Sequence, residues 1–438
     1  MAQGTDFRNV RGMRDLLPAE TPRWQRIETA AIEVLTTYGY EELRLPLLED
    51  TALFKRGVGE ATDVVEKEMF SFVPQQADET NSITLRPEGT ASTVRALQQH
   101  GLLYNQTQRV WYNGPMFRYE RPQKGRYRQF YQIGAEVFGL PQPAVEAELI
   151  LMCRDLFERL GLLDHVELQL NTLGSGSARV AYRDALTSYF APLTEQLDDD
   201  SVRRLDSNPL RILDSKVPST QALVADAPKL PDFVDAQAKE HFAELRALLD
   251  GLGVAYRLND GLVRGLDYYT HTVFEWVTER LGAQGTVCGG GRYDGLVGLL
   301  GGKDTPGAGF AIGIDRMVLL HEAVHADSQA DSQLGGVDAY IVVADPQHMA
   351  WCLNLANKLR APTQGSERLR VRTHLGGGKL KAQMKKADAS GARLALIVGN
   401  DEVAADQVSV KYLREHAEQV TVAVAELPAF IGRYVSTG

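Results

Sequence analysis

The sequence predicts an α+β chain of more than one domain, and three observations carry that reading. Strand-like runs in the first 325 residues, two of them joined as a hairpin, are flanked by helical patterns; a mainly helical stretch, at approximately 173–253, interrupts them; and beyond a polar linker at 326–336, strands and helices alternate over 337–438. At 438 residues the chain is also too long for one ordinary core, so length alone asks for two or three domains.

Thr21-Pro22 reads as an N-cap with proline at the first helical position, and Trp24, Ile27, Ala31, Val34, Leu35 and Tyr38 recur at helical spacing until Gly39 stops the helix. Glu42 to Leu48 follows as a strand; Pro46 inside it has no N–H for a ladder, which places it at an edge or an interface. Residues 83–87 form another short strand, and Glu88-Gly89-Thr90 turn into a helix. From Gly114 to Gly139 two strand-like runs flank a basic loop, Pro143 to Leu160 is helical and closed by Gly161, and Val166 to Leu170 alternates like a strand. From about Leu173 to Gly253, helices broken by Asp-, Pro- and Ala-rich turns form an inserted module. Strand patterns resume from Val254 through Val263, at Val273 to Val277 and at Thr286 to Cys288, with a glycine-rich turn expected next. The linker marks the clearest boundary. Past it, Ala339 to Ala344, Leu369 to Thr373 and Leu394 to Val398 are strands separated by helical segments, which predicts a small α/β domain with a largely parallel core.

Composition is that of a globular protein: 44% hydrophobic and 24% charged residues argue against disorder and against a membrane protein, and no apolar run approaches bilayer-spanning length. The first residues lack the apolar core of a signal peptide, which favours the cytoplasm. Cys153, Cys288 and Cys352 are too scattered for a disulfide framework or a Cys-x-x-Cys zinc site. A net charge of -10 argues against a uniformly nucleic-acid-binding surface but leaves local basic patches, and the hairpin loop is one.

The hairpin is the most informative stretch. Alternate residues of a strand share a face, so Arg118 and Glu120 point one way while Phe117 and Tyr119 point the other. On the return strand Phe130, Gln132, Gly134 and Glu136 line one face, and Tyr131, Ile133, Ala135 and Val137 the opposite, largely apolar one. An arginine, carboxylates, an amide, a ring and a glycine gap on one face suit a small polar ligand held against a sheet. Four further clusters set a charged residue beside small ones that let a ligand approach the backbone: Arg86 to Thr90, Leu262 to Tyr269, Gly289 to Gly295 and Gly309 to Arg316. Each has a plain alternative. Arg264, on a strand, could be a paired interior arginine; the triple glycine could be a hairpin turn; Arg316 could cap a helix or pair with Asp315.

Together these clusters closely resemble those of the bacterial-type histidyl-tRNA synthetases, class II aminoacyl-tRNA synthetases, over nearly the whole chain. Arg11-Gly12 to Leu17-Pro18 resembles the family's amino-terminal signature, the segment ending at Pro46 resembles motif 1, the Phe117–Glu120 hairpin motif 2, and Gly309–Arg316 motif 3. Arg264 to Tyr269 and Gly290-Gly291-Arg292-Tyr293-Asp294-Gly295 resemble two motifs particular to histidyl enzymes. Two departures stand out: Tyr119 where histidine is common, and Asp315 where motif 3 usually has glutamate, which leaves the support of Arg316 open.

The resemblance implies an α+β catalytic domain over 1–325, with the class II antiparallel sheet flanked by helices and a helical insertion, followed by a C-terminal α/β anticodon-binding domain, in a homodimer. It implies that the carboxylate of histidine attacks the α-phosphorus of ATP, a step that needs alignment and neutralised charge rather than a strong base. Arg118 and Arg264 would be the catalytic pair, facing the α-phosphate from two sides with guanidinium groups suited to paired oxygens. ATP would meet Arg118, Glu120, Arg126, Phe130 and Arg316: the adenine between Phe130 and Arg316, its amino group at Glu120, the γ-phosphate at Arg316. Mg²⁺ would arrive with the ATP, and no tightly bound cofactor or resident metal is expected. Histidine would meet Glu88, Thr90, Gln132, Glu136, Arg264, Tyr268, Tyr269 and Tyr293, with Glu136 and Tyr269, steadied by Gln132, at the imidazole and Glu88 and Thr90 at the α-ammonium. A pocket of this kind rejects apolar amino acids by leaving its own buried polar groups unpaired, so no editing domain is required.

For tRNA(His), the hairpin loop offers Arg121, Gln123, Lys124 and Arg128, with Gln123 at the extra 5′ guanosine that the family's tRNA carries; the plain alternative is a solvated loop. In the last domain Leu380, Met384 and Ala387 mark a buried stripe while Lys381, Lys385 and Lys386 project elsewhere, as an anticodon-binding face or merely a soluble one. His321-Glu322-Ala323-Val324-His325 matches a zinc-protease pattern but sits at the end of the helix after motif 3, where a histidine pair also complements the helix dipole. Gly376-Gly377-Gly378-Lys379 lacks P-loop spacing and reads as the turn before a helix. The main competing function is a catalytically inert paralogue that senses histidine or assists a histidine-biosynthetic phosphoribosyltransferase. The presence of Arg118, Arg264 and Arg316 and of a full carboxy-terminal domain weighs against it.

Overall fold

The computed structural model describes residues 7–75, 81–215, 217–326, 336–361 and 368–436. Its contacts divide into two units, Met1–Ala326 and Asp327–Gly438. The stretch expected as a linker lies almost wholly outside the described residues.

The first unit opens with α1 (Thr21–Thr37), which buries Trp24, Ile27, Ala31, Val34 and Leu35 of the stripe its spacing predicts, together with Ala30, while Tyr38 is the half-buried C-cap. Thr21 is the first helical residue rather than the cap, which falls on Glu20. Two short strands, β1 (Glu41–Glu42) and β2 (Leu48–Asp50), replace the single strand expected over Glu42–Leu48. Pro46 lies in the break; the carbonyls of Leu45 and Pro46 accept from Arg86 Nη1 at 2.9 and 3.4 Å instead of joining a ladder. Then come α2 (Thr51–Val58), β3 (Phe70–Phe72), β4 (Ile83–Leu85) and α3 (Thr90–Gln99), with β2, β4 and β3 forming a small antiparallel sheet. The hairpin is β5 (Gln108–Phe117) and β6 (Gln129–Phe138), paired from Gln108 opposite Phe138 to Phe117 opposite Gln129. Its register puts Arg118 and Glu120 just beyond the ladder, in the connection rather than on the strand.

After α4 (Ala144–Arg159) and β7 (Glu167–Thr172), the helical stretch holds α5 (Gly176–Phe190), α6 (Asp199–Ser207), α7 (Pro218–Ala225) and α8 (Ala236–Gly251). The unit closes with β8 (Arg257–Leu258), β9 (Thr270–Val277), β10 (Thr286–Arg292), the single-turn α9 (Leu296–Leu299), β11 (Gly307–Gly313) and α10 (Ile314–Val324). Between Val254 and Val263 only β8 is strand, and Arg264 sits in the β8–β9 connection, not on a strand as expected. The triple glycine is not a turn either. Gly289, Gly290 and Gly291 lie inside β10, buried and paired with β9 on one side and β11 on the other.

The large sheet runs β1-β5-β6-β11-β10-β9-β7-β8. Only its outermost pairs, β1 with β5 and β7 with β8, are parallel; every inner pair is antiparallel. One face carries a core in which Trp24, Leu149, Leu245 and Met317 of α1, α4, α8 and α10 pack on Ile133, Val137, Phe274 and Ile312. The other face packs Val94 and Leu97 of α3 and Tyr182, Leu186 and Phe190 of α5 with Val273, Tyr269 and Tyr293. The helical insertion therefore shares a core with the aromatic residues singled out in the sequence.

The second unit comprises β12 (Ala339–Val343), α11 (Met349–Arg360), β13 (Val371–Thr373), α12 (Leu380–Ala389), β14 (Leu394–Val398), α13 (Asn400–Ala405), β15 (Gln407–Tyr412), β16 (Val420–Ala423) and α14 (Leu427–Ser436). Its sheet order is β13-β12-β14-β15-β16, parallel among the first three and antiparallel beyond, so the parallel core is extended by an antiparallel edge. On α12 the buried residues are Gln383 and Ala387, with Met384 packed partly against them. Leu380 is exposed, contrary to the expected stripe. Gln383 takes the inner position because its amide has partners there: it accepts from Val343 N and donates to the carbonyls of Val343 and Gly378. Gly377 and Gly378, both at positive φ, make the expected turn into that helix.

Candidate active site

The β5–β6 connection, β6, the β8–β9 connection, β9, the ends of β10 and β11 and the start of α10 enclose a cavity of about 430 Å³. Arg118, Glu120, Arg126, Phe130, Gln132, Arg264 and Arg316 line it, so the residues expected to handle ATP do converge. Arg118 is anchored by Nε, which donates to the Pro87 carbonyl at 2.9 Å, and its guanidinium carbon lies 5.3 Å from the Phe130 ring centre. Arg316 donates to the carbonyls of Gly125 and Thr286 at 3.2 and 2.6 Å and to Gln284 at 2.8 Å. Burial and the nearby Arg118 both work against its charge.

The support of Arg316 is thus two backbone carbonyls and the Gln284 amide, not Asp315. That carboxylate, buried and consequently raised in pKa, accepts from Tyr131 N at 2.9 Å and faces Arg14 at 3.9 Å. Arg316 neither caps the helix nor makes a hydrogen bond to Asp315, so its position here does not depend on that carboxylate.

Arg264 forms an ion pair with Glu275 of β9, which also accepts from Thr286 Oγ1 at 3.0 Å. Burial disfavours the charge of Arg264, but Tyr269 and Glu275 outweigh it and hold the guanidinium above its ordinary range. A Cβ on Gly289 would sit within 2.7 Å of the guanidinium carbon, so the glycine run of β10 exists partly to admit this arginine against the sheet. Glu120 is paired with Arg126. Burial pushes Glu120 up, yet the Arg126 hydrogen bond and the Arg118 charge prevail and keep its carboxyl below the usual range. Its neighbour Glu68, half-buried and facing the charge of Glu120, goes the other way, to about 7.

A smaller recess of about 60 Å³ adjoins this cavity, lined by Glu88, Thr90, Tyr112, Gln132, Arg264, Tyr268 and Tyr269. Arg118, Gln132 and Arg264 line both. Glu88 stands at the start of α3 and accepts from Thr90 N and Ala91 N at 2.6 and 2.9 Å. These bonds favour its ionised form, but burial prevails and raises its pKa. Glu136 lies behind the recess rather than on its wall: Thr90 Oγ1 donates to it at 2.7 Å, Tyr112 OH at 3.3 Å, and Tyr293 OH donates to its other oxygen. Full burial pushes its carboxyl up to about 8, against the pull of the Tyr293 and Thr90 hydrogen bonds. Tyr293, expected to touch the ligand, instead supports Glu136 from within the core; it lines neither cavity. Its neighbour Arg292 is fully buried in an ion pair with Glu146, which Arg292 and His241 hold at about 2 despite burial.

Three contributors lacked a sequence signal. Tyr112 lies over Gly89 and Gly134, and a Cβ at either position would overlap its ring. Glu275 is a single acid in an apolar run, and Glu68 is one of several charged residues in a mixed one. The two glycines, one beside Glu88 and one in the middle of a strand, were a trace of Tyr112, but only the fold brings that tyrosine to them.

The hairpin loop divides. Arg121, Gln123 and Lys124 are exposed around a turn made by Gly125 at positive φ. Arg128, grouped with them in the sequence, is held inward: it donates to the carbonyls of Glu120 and Arg11 and stacks on Tyr119, 3.6 Å from the ring centre. Tyr119 thus serves as the platform for Arg128. Of the zinc-protease pattern, Glu322 pairs with Arg23 at 2.5 Å, His325 faces the Leu160 carbonyl at 3.1 Å, and His321 is buried. No cluster of three potential metal ligands occurs among the described residues. Nor is any described helix long and apolar enough to cross a membrane.

The chain is similar to known proteins over nearly its whole length. A family model of histidyl-tRNA synthetase matches residues 12–317, and a model of an anticodon binding domain matches residues 338–434. Among solved structures, the apo histidyl-tRNA synthetase of S. aureus is 33% identical, with a TM-score of 0.78, and the match covers 97% of this chain and 100% of that one. The histidyl-tRNA synthetase of Nostoc sp. is 21% identical, with a TM-score of 0.69 over 98% and 100% of the two chains. An ATP phosphoribosyltransferase regulatory subunit/histidyl-tRNA synthetase from Bacillus halodurans C is 23% identical, with a TM-score of 0.62 over 87% and 96%. The last two bear on the fold alone.

Proposed function

The chain belongs to the histidyl-tRNA synthetase family, and on that premise we propose how its residues divide the work of a histidine–tRNA ligase. Its fold is that of a class II synthetase catalytic domain followed by an anticodon-binding domain. In the reaction we infer, a carboxylate oxygen of histidine bonds to the α-phosphorus of ATP and pyrophosphate leaves. A hydroxyl of the terminal adenosine of tRNA(His) then attacks the acyl carbon and AMP leaves.

The observation that carries the assignment is the sharing of Arg118 and Arg264 between the larger cavity and the recess. Two groups that face both spaces are where an amino-acid carboxylate and an α-phosphate would meet, and two guanidinium charges there would stabilise the charge that builds as they join. ATP takes the larger cavity, its adenine between Phe130 and Arg316 and its amino group toward Glu120, with Arg126 nearby and Mg²⁺ carried in as part of the substrate. Histidine takes the recess. Glu88 and Thr90 meet its ammonium, Gln132, Tyr268 and Tyr269 its ring, and Glu136, backed by Tyr293, sets the proton balance behind them. Arg121, Gln123 and Lys124 meet the acceptor end of the tRNA, while the second unit takes the anticodon. The domain limits near residues 325 and 337, a homodimer and a cytoplasmic setting belong to the same proposal.

The test is histidine-dependent exchange of pyrophosphate into ATP, then charging of tRNA(His). Exchange with histidine and not with other amino acids is expected; no exchange would sink the catalytic reading in favour of an inert paralogue.

A further inference from the structure

The connection from Gly265 to Tyr269 carries no regular secondary structure, yet Arg264 before it and Tyr268 and Tyr269 within it line the recess. An irregular segment cannot aim side chains by its own hydrogen bonds, so something else must fix it. At one point that is α2, whose Val58 carbonyl accepts from Asp267 N at 3.0 Å. Most other ties come from the start of the helical insertion. Arg179 of α5 donates through Nη1 to the carbonyls of Asp267 and of Tyr269, the latter at 2.8 Å, and through Nη2 to the Asp267 carboxylate at 3.2 Å. Asn208 donates to the same carboxylate at 3.2 Å, and Arg211 to the Gly265 carbonyl at 2.6 Å. Leu173 and Gly174 exchange 2.7 Å backbone bonds with His271, a residue at φ +52 whose strained conformation needs such fixing.

We propose that Arg179 is a positioning residue for histidine activation: its guanidinium fork bridges the two carbonyls that bracket Tyr268, and so makes the seating of the insertion a condition for a competent recess. The inference rests on the ligase reading. A planar fork suits this task because one rigid group spans two carbonyls and a carboxylate, which a flexible ammonium cannot reproduce. Burial works against the charge of Arg179, and Asp267 offsets part of that. The alternative is that Arg179 only glues the insertion to the sheet, in which case its loss would lower stability without changing the kinetic constants of the molecules that fold.

Pyrophosphate exchange with histidine and ATP varied separately, alongside thermal midpoints, distinguishes the two in Arg179→Ala, Arg179→Lys and Arg211→Ala. Arg179→Ala is expected to raise the histidine KM and lower kcat, together by about tenfold or more, with the ATP KM changed by less than about twofold, because most ATP contacts lie off this connection. Lysine should restore part of the loss, and Arg211→Ala should shift the same constants less. Wild-type constants in folded Arg179→Ala, or a loss shared equally between histidine and ATP, overturns the proposal; should that variant not fold, Arg179→Lys decides by the same criteria. Faster amide hydrogen exchange at residues 265–271 in Arg179→Ala is a readout independent of catalysis. If the wild type itself shows no exchange of pyrophosphate, the ligase reading fails, while unchanged amide protection would overturn the positioning role alone.

Discussion

Glu136 shows how much chemistry one buried residue concentrates. Its carboxyl, ordinarily near 4.5, is raised to about 8 by burial. Between those values the folded chain keeps a proton that the unfolded chain has released, so folding binds protons and this group's contribution to stability falls as pH rises through the window. Glu68, raised to about 7, and Glu88, also raised, act in the same direction. Glu146, held at about 2, acts oppositely and only as pH falls below the ordinary carboxylate range. Glu136→Gln removes one of these raised acids while keeping shape and acceptor. The thermal midpoint of this variant should therefore decline less steeply between about pH 4.5 and 8 than that of the wild type, with Glu68 and Glu88 leaving a residual slope. Because a protonated carboxyl and an amide are both neutral and both offer a donor and an acceptor, histidine binding read by calorimetry should change by less than about 1 kcal/mol. An unchanged slope would mean that Glu136 is ionised in the native protein.

At the scale of elements, the β5–β6 hairpin and its neighbour β11 are shaped by what they must leave out. Gly134 of β6 and Gly89 before α3 make room for Tyr112, and Gly309 of β11 makes room for Glu136. A methyl group at Gly134 has nowhere to go, since the Tyr112 ring above it is itself closed in by Gly89. Gly134→Ala should cost about 1–3 kcal/mol through overpacking, seen as a lower first unfolding midpoint, and should tilt Tyr112 away from Glu136. Wild-type stability and histidine affinity in that variant would remove Tyr112 from the account. The hairpin's existence and facing were legible because the period of two is strong over Phe130–Val137. That Arg118 and Glu120 fall beyond the ladder, and that Arg128 turns back onto Tyr119 and Arg11, was not, because a loop carries no period to read.

For the whole molecule, each unit has hydrophobic clusters of its own, the second built on β12, β14 and β15 with α11 and α14. A chain ending at Ala326 is therefore expected to fold and to retain histidine-dependent pyrophosphate exchange within about threefold, while its kcat/KM for charging tRNA falls by about tenfold or more as the anticodon contacts are lost. Comparing exchange and charging in the two chains checks this. Loss of exchange on truncation would show that the first unit depends on the second for its active geometry.

Arg118, Arg264, Arg316, Phe130 and Gln132 could be singled out from the chain alone because each sits beside glycines, prolines or alternating strand residues, local patterns that survive without a fold. The insertion and the alternating second domain were visible for the same reason. Only the tertiary structure decided that the three glycines of β10 are the middle of a sheet, that Arg292 and Tyr293 are buried against Glu146 and Glu136, and that Arg316 rests on backbone carbonyls and Gln284 rather than Asp315. It also supplied Tyr112, Glu275 and the grip of Arg179. Those outcomes turn on which distant segments meet, and a buried polar group takes its role from the partner that satisfies it, which neighbouring residues in the chain do not specify.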